Sequence, residues 1–155
     1  MTEEFSVFLA TELGVGEVAA RLTEVLELGA SLEGSGADGE VGLRGRAAGG
    51  DGWLEFSVHR NWHVLVDGEP GEAQAIDPYP VQVDVSGGGS DEARGVFERL
   101  AEAGLGMPLL LVHDVTYLLG AYLPDAGTHY FEAGVSMDEP DLELWRDWVS
   151  EVRVY

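Results

Sequence analysis

The chain has no cysteine, and that absence removes disulfides, thiolate nucleophiles and cysteine-ligated zinc from consideration. Lysine is missing too: all eight basic residues are arginine, scattered from Arg21 to Arg153. Ile76 and Asn61 are the single residues of their kinds, while alanine, glycine and valine abound, a bias expected of a GC-rich bacterial genome. The missing lysine is therefore read as compositional rather than functional. Positive charge is scarce in any form, with 29 acids against eight arginines and a formal net charge of −21. Such a body repels polyphosphate unless its arginines cluster, so DNA, RNA and anionic lipid are excluded as direct partners. Long apolar runs are lacking as well. The longest, around Met107 to Val112, is far too short to span a bilayer, and Thr2-Glu3-Glu4 has nothing of a signal peptide. A cytoplasmic location is expected.

What is present describes a globular chain. Its 155 residues are 45% hydrophobic and 24% charged, enough apolar surface to offset the entropy of ordering, and no polar tract marks a place to divide it. A single α+β domain over residues 1–155 is expected.

Phe5, Val7 and Leu9 alternate with other side chains and predict a first strand. Val15 to Leu28 carries Val18, Ala19, Leu22, Val25 and Leu26 on one helical face, a helix expected to stop at Gly29. Asp38 to Ala48 alternates weakly and suggests an edge strand. Leu54, Phe56 and Val58 oppose Trp53, Glu55, Ser57 and His59, after which Arg60 and Asn61 suggest a hairpin onto Trp62 to Val66. Val81, Val83 and Val85 alternate with Gln82, Asp84 and Ser86, predicting a strand with one solvated face. Ser90 is the expected N-cap of a helix running through Val96, Phe97 and Leu100 to Gly104, with Asp91 and Glu92 complementing its dipole. Leu109 to Val112 and Val115 to Leu123 form two further apolar elements. A last helix is expected to start at Glu139-Pro140 and to carry a stripe of Leu142, Trp145, Trp148, Val149 and Val152. Ala19, Leu22, Glu24 and Leu26 echo Ala93, Val96, Glu98 and Leu100 at one offset. Such an echo arises by chance or from a duplicated strand-helix-strand half, the unit of a ferredoxin-like sheet. The expected fold is an antiparallel or mixed sheet of about five to seven strands, ferredoxin-like-related, with two amphipathic helices on one face and a C-terminal helix.

Chemistry-bearing motifs are weak. Gly14-Val15-Gly16-Glu17-Val18-Ala19 fits a dinucleotide-binding spacing, but Ala10 to Leu13 separate it from the strand and Glu12 and Glu17 repel phosphate. The turn Gly87-Gly88-Gly89-Ser90 could cradle an anion, yet Asp91 and Glu92 already occupy that positive end. His59 and His63 are four apart, useful for a metal on a helix but not in a hairpin, and His113 and His129 stand elsewhere. His113-Asp114 is a poor triad fragment because strand neighbours point to opposite faces. No catalytic residue, cofactor or metal is expected.

The acid excess has three readings: solubility, salt adaptation, or a surface that meets a basic partner. Taken as functional, it suggests a non-catalytic protein-binding module of the immunity-protein kind, blocking a basic toxin or nuclease. Asp141, Glu143, Trp145, Asp147 and Trp148 are the expected partner surface, tryptophan supplying anchors if it stays exposed. Removing Asp141, Glu143 and Asp147 is then expected to slow association without loss of fold. Two alternatives stand beside it: a small-molecule site with His59, Trp62 and Tyr79 at its mouth, and an enzyme whose site has no recognised signature.

Overall fold

A computed structural model describes residues 4–30, 40–46, 53–61, 74–76 and 78–149. Among them, eight antiparallel strands form one sheet: β1 (Phe5–Leu9), β2 (Gly29–Ala30), β3 (Val41–Arg46), β4 (Trp53–Arg60), β5 (Val81–Ser86), β6 (Leu109–His113), β7 (Tyr117–Leu123) and β8 (Gly127–Tyr130). Their spatial order is β2-β3-β4-β5-β1-β6-β7-β8. Seven have four residues or more, and β2 adds a two-residue margin. Helices α1 (Val15–Leu26) and α2 (Ser90–Glu102) follow β1 and β5, and a short α3 (Leu142–Trp145) lies between 3-10 turns at Glu139–Asp141 and Arg146–Trp148. The fold is α+β, and the sheet is wholly antiparallel rather than mixed. Its central strands β4-β5-β1-β6 have the order of a split strand-helix-strand pair, with the two echoing strand-helix units side by side.

Alternation decides what each face of the sheet buries. Phe5, Val7 and Leu9 of β1, Leu54, Phe56 and Val58 of β4, and the three valines of β5 form one core with Val18, Leu22 and Leu26 of α1 and Val96, Phe97 and Leu100 of α2. The opposite face has its own core, where Phe8, Leu110, Val112 and Leu118 meet Ile76, Tyr79, Val135, Met137 and Trp145. Both faces of β1 are therefore covered, and all five of its residues are buried.

Several boundaries differ from expectation for identifiable reasons. Helix α1 ends at Glu27, which turns left-handed at φ 54, and Gly29 instead opens β2. Arg99 reaches from α2 to the Val25 carbonyl at 2.9 Å, so a partner helix caps that end. The N-cap of α2 is Gly89 rather than Ser90, because the Glu92 carboxylate turns back to accept the Gly89 N–H at 2.9 Å. Strand β3 is flanked by β2 and is not the margin of the sheet. The apolar element expected from Val115 begins at Tyr117, and α3 is much shorter than its stripe implied. The suggested strand from Trp62 to Val66, and Val152, lie outside the described residues.

Candidate functional site

Two places on the non-helical face of the sheet merit a chemical reading. The first is a polar network on β1, β4 and β5. The strand registers put Ser6 opposite Asp84 and His59 opposite Gln82, and alternation aims all four side chains to the same side. Asp84 Oδ1 accepts from Ser6 Oγ at 2.7 Å and from Gln82 Nε2 at 2.8 Å, while Oδ2 lies 2.7 Å from His59 Nε2. His59 Nδ1 is 2.8 Å from the Arg60 carbonyl oxygen, which can only accept.

These partners assign protons. Burial works against charge on Asp84, but bonds from His59, Ser6 and Gln82 outweigh it and lower its pKa below the usual 3.8. An ionised Asp84 obliges Nε2 to donate, and the Arg60 carbonyl obliges Nδ1 to donate, so His59 is an imidazolium. Burial likewise opposes its charge, and the Asp84 bond, the Arg60 carbonyl and the charges of Asp84 and Glu40 together raise its pKa above 6.5. A ring with both nitrogens donating is not a general base, and the Ser6 hydroxyl is turned to the carboxylate. The Ser-His-Asp composition is thus a partly buried clasp across three strands.

Beside it, Asn61 ties Ile76, Tyr79 and Pro80 to the end of β4. Its side-chain amide donates to the carbonyls of Ile76 at 3.0 Å and Tyr79 at 2.8 Å, and its backbone N–H donates to Pro80 O at 2.9 Å. The only asparagine and the only isoleucine of the chain meet in this contact. Tyr79 is fully buried and His59 is 5% exposed, so neither lines a mouth open to a ligand; Trp62 lies outside the described residues.

The second place is the C-terminal layer. Trp145 is 4% exposed and belongs to the core, its indole N–H donating to the Asp138 carbonyl at 3.2 Å. It is therefore unavailable as an exposed anchor. Trp148 is half-buried and stacks on His129 at 4.5 Å and 9°. The large apolar side chain that projects here is Leu144, 57% exposed, with exposed Glu143 and Asp147 beside it on the same turns. Asp141 accepts the Ser136 N–H at 2.7 Å and so holds the approach to α3. Its removal would disturb structure as well as charge, which leaves Asp147, and Glu143 with its exposed ion pair to Arg146 at 3.1 Å, as the acids whose loss tests a surface role.

The remaining motifs resolve locally. Gly14 is the N-cap of α1 and Gly16 lies in its first turn, and a methyl group added at either would meet nothing within 4 Å. His113 stacks on Phe5 at 4.8 Å, and its Nε2 lies 3.3 Å from Asp114 Oδ2, contrary to the expectation that strand neighbours diverge. The reason is that Asp114 has already left the strand at φ 52. Among the described residues no group of three or more His, Asp or Glu side chains is arranged to hold a metal ion, and no helix is long and apolar enough to cross a membrane; His63 lies outside them.

No family model, curated protein or solved structure matches the chain.

Negative charge occurs on both outer layers. Residues 12–27 and 90–102 hold eight acids and three arginines, and residues 131–149 hold six acids and one arginine. Each layer is net −5, over 29 and 19 residues respectively, so charge is denser on the C-terminal side. Charge alone attracts a cation to either face. Orientation needs a further feature, and Leu144 supplies one.

Proposed function

We propose that the chain is a non-catalytic acidic module that binds a basic protein through its C-terminal layer, as an immunity-type inhibitor binds a toxin or nuclease. The observation that carries this reading is Leu144, an exposed apolar side chain with Glu143 and Asp147 at its sides on the more densely negative layer. An apolar contact rimmed by charge is the ordinary plan of a protein interface: the centre excludes water, and the rim sets encounter rate and partner choice. The partner implied is a protein with a positive surface, and the acid excess argues against nucleic acid in the same place.

The test begins with the basic protein recovered on a tagged chain from its source cells at modest salt. Its association rate constant is expected to fall several-fold in Glu143→Gln/Asp147→Asn and to fall again as ionic strength rises. Leu144→Ser is expected to speed dissociation while leaving the melting temperature unchanged. A rate indifferent to salt and to both acids, or recovery of no basic protein, sinks the reading.

A further inference from the structure

Among the described residues, one margin of the sheet is left unpaired in a way that suits the same class of partner. There strand β8 pairs with β7 alone, through Gly120↔Tyr130, Ala121↔His129, Tyr122↔Thr128 and Leu123↔Gly127. The Phe131 N–H donates to Leu119 O at 3.0 Å, so residues 129 and 131 face β7. By alternation Thr128 and Tyr130 turn their backbone N–H and C=O groups to the other side, where no described residue meets them.

Natural sheets blunt such margins with short strands, lysine, proline or bulges. At four residues β8 is short, but Gly127-Thr128-His129-Tyr130 has no lysine, arginine, acid or proline, and its pairing with β7 is regular. The strand is also held rigid from both faces. On the helix side the Tyr130 hydroxyl donates to Glu98 at 2.6 Å, the Arg94 guanidinium lies 4.0 Å from the Tyr130 ring centre, and Phe97 meets that ring edge-on. On the other side His129 stacks on Trp148. A strand already ordered this firmly loses little further entropy when another is added beside it.

The charges around it select the occupant. Asp125 and Glu132 stand two residues beyond either end of β8 and Asp147 adjoins Trp148, while Glu98 against Tyr130 is already paired with Arg94 at 3.1 Å, so the uncompensated carboxylates are those at the strand ends. A second copy of the chain would bring another −21 to this margin and is disfavoured. We propose that the open margin of β8 takes up an extended, arginine- or lysine-rich segment of a partner protein as an additional strand. Backbone hydrogen bonds to Thr128 and Tyr130 set its register, and the flanking carboxylates meet its basic side chains. This rests on the reading of the chain as a module for basic proteins, and places part of the contact beside the Leu144 surface through the His129–Trp148 stack.

The probes are a soluble peptide alternating lysine with valine, the same peptide interrupted by proline, and one alternating glutamate with valine. Amide hydrogen exchange at Thr128 and Tyr130 is followed with each. The lysine-valine peptide is expected to slow exchange at both amides by about tenfold or more and to lose about tenfold in affinity against Thr128→Pro, which removes one donor. Thr128→Lys keeps the backbone intact and is expected to weaken the same peptide by repulsion at an unchanged melting temperature.

If the proline-interrupted peptide binds equally well and the two amides stay unprotected, the strand-addition idea is overturned while the basic-partner reading survives. If neither basic peptide binds at low salt, both fall. Equal protection by the glutamate peptide, or protection that grows with protein concentration alone, refutes a basic occupant in favour of an indifferent margin or a second copy.

Discussion

His59 and Asp84 form the one close ion pair among the described residues that joins two strands of the sheet interior, Nε2 to Oδ2 at 2.7 Å. The second ring nitrogen donates to Arg60 O, so the pair is fixed with the histidine charged and the carboxylate ionised. Through Ser6 the carboxylate also reaches β1, and the clasp spans β4, β5 and β1.

Stability should therefore depend on pH in two opposite senses. His59 has a folded pKa raised above 6.5, so its contribution is complete below 6.5 and disappears as pH rises through the folded value. Asp84 has a folded pKa lowered below 3.8, so its contribution is complete above 3.8 and disappears as pH falls through the folded value. Urea midpoints are expected to decline as pH rises past 6.5, and His59→Gln to flatten that alkaline limb. A midpoint that keeps its alkaline decline in His59→Gln would contradict the assignment, as would a nitrogen spectrum showing a neutral His59 ring at pH 6.

Removing only the anion deprives the buried His59 cation of its ion-pair partner at 2.7 Å, with the charge of Glu40 remaining. Asp84→Asn is expected to cost about 2 kcal/mol, below the full cost of breaking a buried pair because the Asp84 side chain is 39% exposed. Ser6→Ala removes one of several bonds to the same carboxylate and is expected to cost about 1 kcal/mol. Chemical denaturation of the two variants at pH 6 ranks them, and equal losses would mean that the charge pair carries no special weight.

The clasp also shows what a sequence hides. Alternation along Trp53 to His59 and Val81 to Ser86 identified which residues share a face, and the helix faces of Val18, Leu22, Val96 and Leu100 followed from periodicity. Nothing local indicated that the polar face of β5 would be drawn partly inside, with Gln82 buried and Asp84 half-buried. That depends on β1 and β4 lying on either side of it, contacts 78 and 25 residues distant in sequence. Strand β8 escaped notice because Gly-Thr-His-Tyr has no apolar alternation, although Pro124-Asp125-Ala126-Gly127, with Gly127 at φ 91, is a turn signal in its own right. The side chains of the C-terminal layer divide by a burial that composition does not encode: Trp145 goes inside, Trp148 is half-buried, and Leu144 is left outside.

The turn joining β6 to β7 contains a conformational strain open to relief. Asp114 at φ 52 and Val115 at φ 48 are both left-handed, and the Thr116 N–H closes the turn on His113 O at 3.0 Å. Asparagine suits the second of these positions, whereas a β-branched side chain there is strained by about 1 to 2 kcal/mol. Val115→Asn is expected to be more stable than Val115→Ala by about 1 kcal/mol, since both lose the valine packing and only asparagine accommodates the backbone. Thermal melts of the pair decide it; an equal or inverted order would refute the strain.

Glycine is required where β5 leads to α2. Gly87 sits at φ 97, and an added Cβ would stand 2.6 Å from the Trp53 carbonyl oxygen of the neighbouring strand. Backbone cannot swing aside as a flexible side chain can, so Gly87→Ala is expected to cost about 2 kcal/mol or more. Gly95, with nothing within 4 Å of its added Cβ, provides the contrast: Gly95→Ala within α2 is expected to stabilise by about 0.5 to 1 kcal/mol. Opposite shifts in urea midpoint are the expected result, and a Gly87→Ala protein as stable as its parent would show that the close approach is not needed.

Trp145 and Leu144 are neighbours with opposite duties. Trp145 fills the second core and bonds Asp138, so Trp145→Ala is expected to lose about 3 kcal/mol of stability through the cavity it leaves. Leu144 is mostly in water, and Leu144→Ala is expected to stay within about 0.5 kcal/mol of the parent. Folding free energies from urea titration measure both. A large loss at Leu144 would mean that the side chain already has a structural partner. It would then cease to be a candidate anchor, and the partner surface would have to be sought along β8 instead.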